Sequence, residues 1–240
     1  MKAEYIDHLG SDLTVVNAAR VSMDKESAWL PSGAVTDYEG VKYQKGNKVL
    51  PEGDKRLLKY LATHNHWTPF SHPQITMRET VPIFIARQRF KHMVGFTYNE
   101  VSRRYVDDEP EFYVPDVWRS RPDGSIKQGS GDQEVTEIPN PWTDNLYKVD
   151  VKHFYKQHIE ACSSIYDSML LAGVAPEQAR MVLPQSMYTS YYVTGSLSAW
   201  ARAYKQRIDP HAQVEIQDLA KQWGSVISPL YPESWEALTR

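Results

Sequence analysis

The densest chemistry in the chain lies in Arg87-Gln88-Arg89-Phe90-Lys91-His92-Met93-Val94-Gly95-Phe96-Thr97-Tyr98-Asn99-Glu100-Val101-Ser102-Arg103-Arg104-Tyr105, where five cations and a histidine surround one carboxylate. Arginine grips phosphate through two parallel N–H bonds, and lysine acts on it as a point charge. Glu100 is suited to neutralising the cluster or to accepting hydrogen bonds from a sugar or base. A charge run is in most proteins a solvated face. These charges follow directly on an apolar helix start and mix with Gln88, Asn99 and Ser102, which favours a pocket for a polar ligand.

Further along, Arg207-Ile208-Asp209-Pro210-His211 joins two helical patterns, with Arg207 at the end of one and His211 in the first turn of the next. A cation there often only satisfies carbonyls. Arg180 sits in the apolar stretch Ala179-Arg180-Met181-Val182-Leu183-Pro184, so it must be paired or face a ligand, because burying it alone is costly. The single cysteine, Cys162, lies on an apolar helix stripe with no cation beside it and reads as a core residue. His64, His66 and His72 lack a companion carboxylate or thiolate pattern, so no metal site is expected.

The elements that must position these residues are mainly helical. Residues 3–8 suit a strand, and Ser11 or Asp12 caps a helix ending near Val21-Ser22. Residues 23–53 read as an insertion or long loop. Asp54 then N-caps a helix carrying Leu57, Leu58 and Leu61. Alternation over 74–80 gives a strand, and Pro82 opens a helix through Ile83 to His92, followed by a turn at Gly95. Residues 106–147, with five prolines and three glycines, have loop composition. Phe154, Ile159, Cys162, Ile165 and Met169 mark the inward face of a helix over 151–172, stopped by Gly173. Helices follow at 177–182, from Gly195-Ser196 with Leu197, Trp200 and Tyr204 inward, and finally with Val214, Leu219, Trp223 and Val226. The expectation is an α+β fold, helix-rich with a small antiparallel or mixed sheet, in a single domain over 1–240.

Composition agrees. The chain has 240 residues, 41% hydrophobic and 24% charged, with a net charge of −3. By area scaling a compact monomer of 27.6 kDa exposes about 11,000 Å². Collagen-like, coiled-coil and disordered classes are excluded, and the charge argues against a DNA-coating protein. The N-terminal residues have no apolar core of a signal peptide, and no apolar run spans a bilayer, so a soluble cytoplasmic protein with no membrane partner is expected.

Together these blocks resemble the flavin-dependent thymidylate synthases. The resemblance rests on Arg87-Gln88, Lys91-His92 and Asn99 to Tyr105, set against the family motif R-H-R, seven residues, S. Ala18-Ala19-Arg20-Val21-Ser22, His66-Trp67-Thr68-Pro69-Phe70, Ala179 to Pro184 and Arg207 to Gln217 add further blocks in family order. It implies a homotetramer with FAD sites shared between subunits. It also implies methylation of dUMP at C5 to dTMP, with methylenetetrahydrofolate as carbon donor and NADPH as reductant, and no nucleic acid. By the same resemblance Gln88, Arg89, Phe90, Lys91, Glu100, Val101, Ser102, Arg103 and Arg104 bind dUMP, completed by Arg180 and Arg207. Arg207 is the catalytic group, stabilising charge on the uracil ring. FAD would meet Ser22, His66, Thr68, Lys91, His92, Met93, Glu100, Ser196, Ser198 and Arg202.

The sequence departs from the family where Lys91-His92-Met93 replaces R-H-R and eight residues separate Met93 from Ser102. Ser196 and Ser198 stand where Asn and Arg are usual, which makes Arg89 or Arg202 the candidate to replace the missing arginine. Residues 23–53 and 116–147 look like insertions. One alternative is a related methylase or hydroxymethylase acting on UMP or dUMP, with Glu100 and Tyr98 near the sugar. A more distant one is a single-stranded nucleic-acid-binding protein using the basic stretch with Phe96, Tyr98 and Tyr105.

Overall fold

The computed structural model describes residues 1–31, 35–38, 41–44, 48–106, 108–124, 129–143 and 147–240, with side chains left aside at 35–38 and 41–44. From the N-terminus the chain runs through β1 (Lys2–Leu9), α1 (Asp12–Arg20), β2 (Leu30–Pro31), β3 (Val35–Tyr38), β4 (Val41–Gln44) and β5 (Lys48–Val49). It continues with α2 (Glu52–Thr63), β6 (Gln74–Pro82), α3 (Ile83–Arg89), β7 (Phe96–Glu100), β8 (Glu137–Pro139) and β9 (Lys148–Asp150). Then come α4 (Val151–Leu171), α5 (Pro176–Ala179), β10 (Tyr188–Ser196), α6 (Leu197–Arg207), α7 (Val214–Ile227) and α8 (Pro232–Thr239). The architecture is α+β, as expected.

The main sheet has the order β1-β6-β10-β7 and is antiparallel throughout. Side chains alternate across a strand, so Ile75, Met77, Glu79 and Val81 of β6 enter the core with Tyr191 and Val193 of β10. Val15 and Val16 of α1, Leu58 and Leu61 of α2, Trp200 of α6 and Trp223 of α7 close over them. On the opposite face Thr76 meets Thr194 at 2.9 Å, and Arg78 Nε donates to Ser190 Oγ at 2.9 Å.

Two glycines shape the edge that carries the basic stretch. A Cβ on Gly195 would lie 2.3 Å from the Phe96 ring, so only glycine lets β7 pack on β10 there. Gly95, at φ +81°, makes the tight entry into β7 that an L side chain adopts only with strain.

Several expectations are corrected. Within 23–53 the described backbone is not simply loop: β2 pairs with β5 and β3 with β4, both antiparallel. Asp54 is the third residue of α2 rather than its cap, and Pro51 takes the cap position. The Asp54 carboxylate is buried and instead receives Arg20 Nε at 3.0 Å, with Arg20 Nη2 and Ser27 Oγ also on it. The helix after Pro82 ends at Arg89, not His92. On α4 Ile165 is exposed and Tyr166 takes the inward place, because the helix is covered on a narrower strip than its apolar pattern spans. Val214 is likewise half-exposed at the start of α7, where Ile216 turns inward, and His211 precedes that helix. Residues 106–147 are tied to the body by a bridge between Phe112 and Met187 and by Arg119 Nη2 on Glu215 Oε1 at 2.6 Å.

Candidate active site

The basic stretch does not present all its cations to solvent. Arg89 has no exposed surface. Its Nε lies 3.2 Å from both Glu79 carboxylate oxygens, its Nη1 donates to Tyr98 Oη at 2.5 Å, and Tyr191 Oη donates to Glu79 at 2.6 Å. The guanidinium lies over the rings of Phe96, Trp200 and Trp223 at 4.3–4.8 Å. Arg89 is therefore a core cation, not the replacement for a missing ligand-binding arginine. Phe90 is packed edge-on against Tyr98 and Tyr191, and so supports the core rather than a ligand. Tyr98, placed by sequence near a sugar, turns its hydroxyl inward to the His92 carbonyl at 2.7 Å.

Directly beside this pair, α3 and the end of α6 bring three expected residues together. Arg207 Nε donates to His92 Nε2 at 2.8 Å, and Arg207 Nη2 donates to the Gln88 carbonyl at 3.3 Å. The Gln88 side chain donates to Gln213 Oε1 at 2.6 Å, which no sequence pattern announced. Burial, then the Arg207, Arg89 and Arg202 charges, push the His92 pKa down to about 4. Burial followed by Arg89 lowers that of Arg207.

A second group lines a cleft of about 760 Å³ at the start of β10: Glu100, Val101, Ser102, Arg103 and Arg180 face it with Arg78 and Ser190. Thr189 Oγ1 donates to Glu100 at 2.7 Å and fixes that carboxylate. Arg180 is exposed rather than buried, its Nε on the Glu177 carbonyl at 3.3 Å. Arg104 reaches Glu177 at 3.3 Å. Arg78 was legible, since it is the charged member of the outward set Thr76, Arg78, Thr80.

A third group sits at the other end of β10. His66, Ser198 and Arg202 line a cleft of about 470 Å³ with Asn65, Trp67 and Lys205. Arg202 Nη2 also reaches the Val94 carbonyl, tying α6 to the loop that carries the exposed Met93. Lys91 is exposed on that loop, and Thr68 beside Trp67. Ser196 is buried, caps α6 through the Ala199 amide at 3.2 Å and meets Ser198, so its hydroxyl does not line the cleft. Ser22 is exposed and donates to the Ala19 carbonyl at 3.0 Å, away from both clefts. The expected site residues thus fall into three groups that share no lining within one chain. Among the described residues no three His, Cys, Asp or Glu side chains gather as a metal site.

Arginines along one cleft, an arginine bonded to an imidazole and a second cleft with an exposed indole are groups able to meet a phosphate and a planar ring. The profile of the family described as "Thymidylate synthase complementing protein" matches residues 4–233. Flavin-dependent thymidylate synthases of Thermosipho africanus and Thermotoga neapolitana are 34% and 32% identical, over 98% and 99% of this chain and 89% and 90% of theirs. This chain belongs to that family. Among solved structures, the UMP/dUMP methylase PolB of Streptomyces cacaoi bound with 5-Br UMP has a TM-score of 0.74. It is 27% identical, with 99% of this chain and 93% of that one covered. Membership in the flavin-dependent thymidylate synthases makes the chain a methyltransferase that works with a flavin. In its Lys91-His92-Met93 segment the histidine is turned to Arg207.

Proposed function

We propose that the protein converts dUMP to dTMP, taking the carbon from methylenetetrahydrofolate and the reducing equivalents from NADPH. The observation that carries this reading is Arg207, anchored on its Nε and Nη2 side by His92 and the Gln88 carbonyl. Its Nη1 has no partner among the described residues. A guanidinium held so can meet the negative charge that grows on the uracil carbonyl and ring nitrogen as C5 becomes nucleophilic, without reorganising at that moment. Gln88 would hold the base edge, and Arg103, Arg104 and Arg180 the phosphate, with Glu100, Val101 and Ser102 beside the sugar.

The cleft around His66, Trp67, Ser198, Arg202 and Lys205 suits FAD in part. It offers two cations for a pyrophosphate and an indole 63% exposed for stacking. Lys91 and Met93 stand on the loop that Arg202 ties to α6 through the Val94 carbonyl, and Thr68 lies beside Trp67. A bound flavin supplies the redox chemistry, while the protein contributes orientation and charge. Because the three groups are separate within one chain, the reading includes a cytoplasmic homotetramer in which the Arg103–Arg180 cleft of one protomer completes the Arg207 site of another. Each chain acts as one domain.

Arg207→Ala is expected to keep the yellow flavin spectrum and lose dTMP formation. Substantial residual turnover would count against the role. Bleaching of the visible band by NADPH, with and without dUMP, tests the cofactor half. A second reading, methylation of UMP, is favoured by PolB, whose structures hold 5-Br UMP and 5-Br dUMP. Product analysis with both nucleotides separates the two.

A further inference from the structure

We infer that His92 is a positioning residue for Arg207, its neutral ring accepting the Nε–H and fixing the plane and aim of the guanidinium. This rests on the reading of Arg207 as the group that meets the uracil. The resemblance would give His92 to the flavin, yet its Nε2 is engaged by Arg207 at 2.8 Å. An acceptor Nε2 puts the ring proton on Nδ1, and an imidazolium would have no lone pair to offer. The residue is well placed: His92 is 7% exposed, and its backbone is fixed at both ends, the amide donating to the Arg89 carbonyl at 3.1 Å and the carbonyl accepting from Tyr98 at 2.7 Å.

The two bonds on Arg207 both use the Nε and Nη2 side of the guanidinium. They fix the plane through two points and leave the Nη1 end for a ligand. Burial first, and then the charged groups acting on the ring, Arg207 and Arg202 of α6 and Arg89 of α3, all cations, favour the imidazole's accepting, uncharged form. Without the ring, the guanidinium would keep only its 3.3 Å bond to Gln88 and would sweep about it.

The test compares holoenzyme carrying His92→Ala, His92→Gln, Arg207→Ala and His92→Ala with Arg207→Ala, reading the flavin spectrum, the dUMP dissociation constant and dTMP turnover. His92→Ala should keep flavin and lose about tenfold to a hundredfold in turnover, as misaimed groups do, with weaker dUMP binding. His92→Gln should recover most of it, because its amide oxygen can accept from Nε–H. In the Arg207→Ala background, His92→Ala should not change dUMP binding further. An equal loss in both backgrounds, release of flavin, or no recovery by glutamine would overturn the positioning role. Normal dUMP binding and turnover by Arg207→Ala would sink the underlying reading itself. If His92→Ala folds poorly, wild-type ring ¹⁵N shifts decide: an unprotonated Nε2 at pH 6 supports the role and a charged ring refutes it.

Discussion

Glu79 and Arg89 are the residues whose burial most constrains this molecule. Both lie inside the core, where their mutual pairing, the Tyr98 and Tyr191 hydroxyls and the aromatic rings around the guanidinium offset their desolvation. Glu79→Gln would leave a buried guanidinium without its counter-charge and should cost about 3–5 kcal/mol in urea unfolding. An unchanged midpoint would show that the core tolerates the bare cation. His92 gives a pH effect whose sign follows from its low folded pKa, about 4 against 6.5 for a free imidazole. Between those values the unfolded chain binds a proton that the folded chain does not. Stability should therefore fall as pH drops from 6.5 towards 4, by up to about 1.4 kcal/mol per pH unit from this residue. Denaturant melts of wild type and His92→Gln across that window should differ in slope, with the variant flatter. At this scale the sequence singled out Gln88 and Arg207, which the fold brings together, whereas Arg180, read as a cation in an apolar stretch, is exposed. Burial of Arg89 was not legible, since nothing in Arg87-Gln88-Arg89 says which arginine turns inward.

Among the elements, β6, α4 and α6 follow from periodicity: clean alternation in one case and apolar stripes at helical spacing in the others. The strands β7 and β10 escaped because their patterns are interrupted. Tyr191-Tyr192 places two aromatics in succession, one buried and one half-exposed, and β7 lies inside a stretch dominated by charge. The pairing of these strands depends on Gly195, whose missing side chain admits the Phe96 ring. Gly195→Ala should cost about 1–3 kcal/mol through overpacking. It should also speed amide exchange in Phe96–Glu100 more than in β1, and uniform protection would show that the ring simply moves aside. The final helix α8 was missed although Pro232 and Glu233 open its first turn; its cap comes from elsewhere, Asp12 of α1 accepting from the Glu233 and Ser234 amides at 3.1 and 2.9 Å. A cap supplied from far along the chain leaves no local signature.

The whole molecule exposes 15,248 Å², well above the about 11,000 Å² of a compact monomer of this mass. Part of the exposed surface is apolar: Ile165 and Leu171 of α4 face outward. If protomers complete one another's sites, sedimentation should give a mass near four times 27.6 kDa. A monomer that turns over dUMP would refute the shared arrangement. No helix among the described residues is long and apolar enough to cross a membrane. Sequence singled out the candidate residues but not their separation into three groups, which lie at opposite ends of β10 and at the end of α6.

The Asp54 carboxylate binds both Arg20 and Ser27, and Leu30 pairs with Val49 a few residues on. The chain therefore departs from the body and returns to it through a stapled neck. Closing a longer excursion adds only logarithmically to its entropy. A change of chain length between Leu30 and Val49 is therefore expected to cost the fold little while its core register stays fixed.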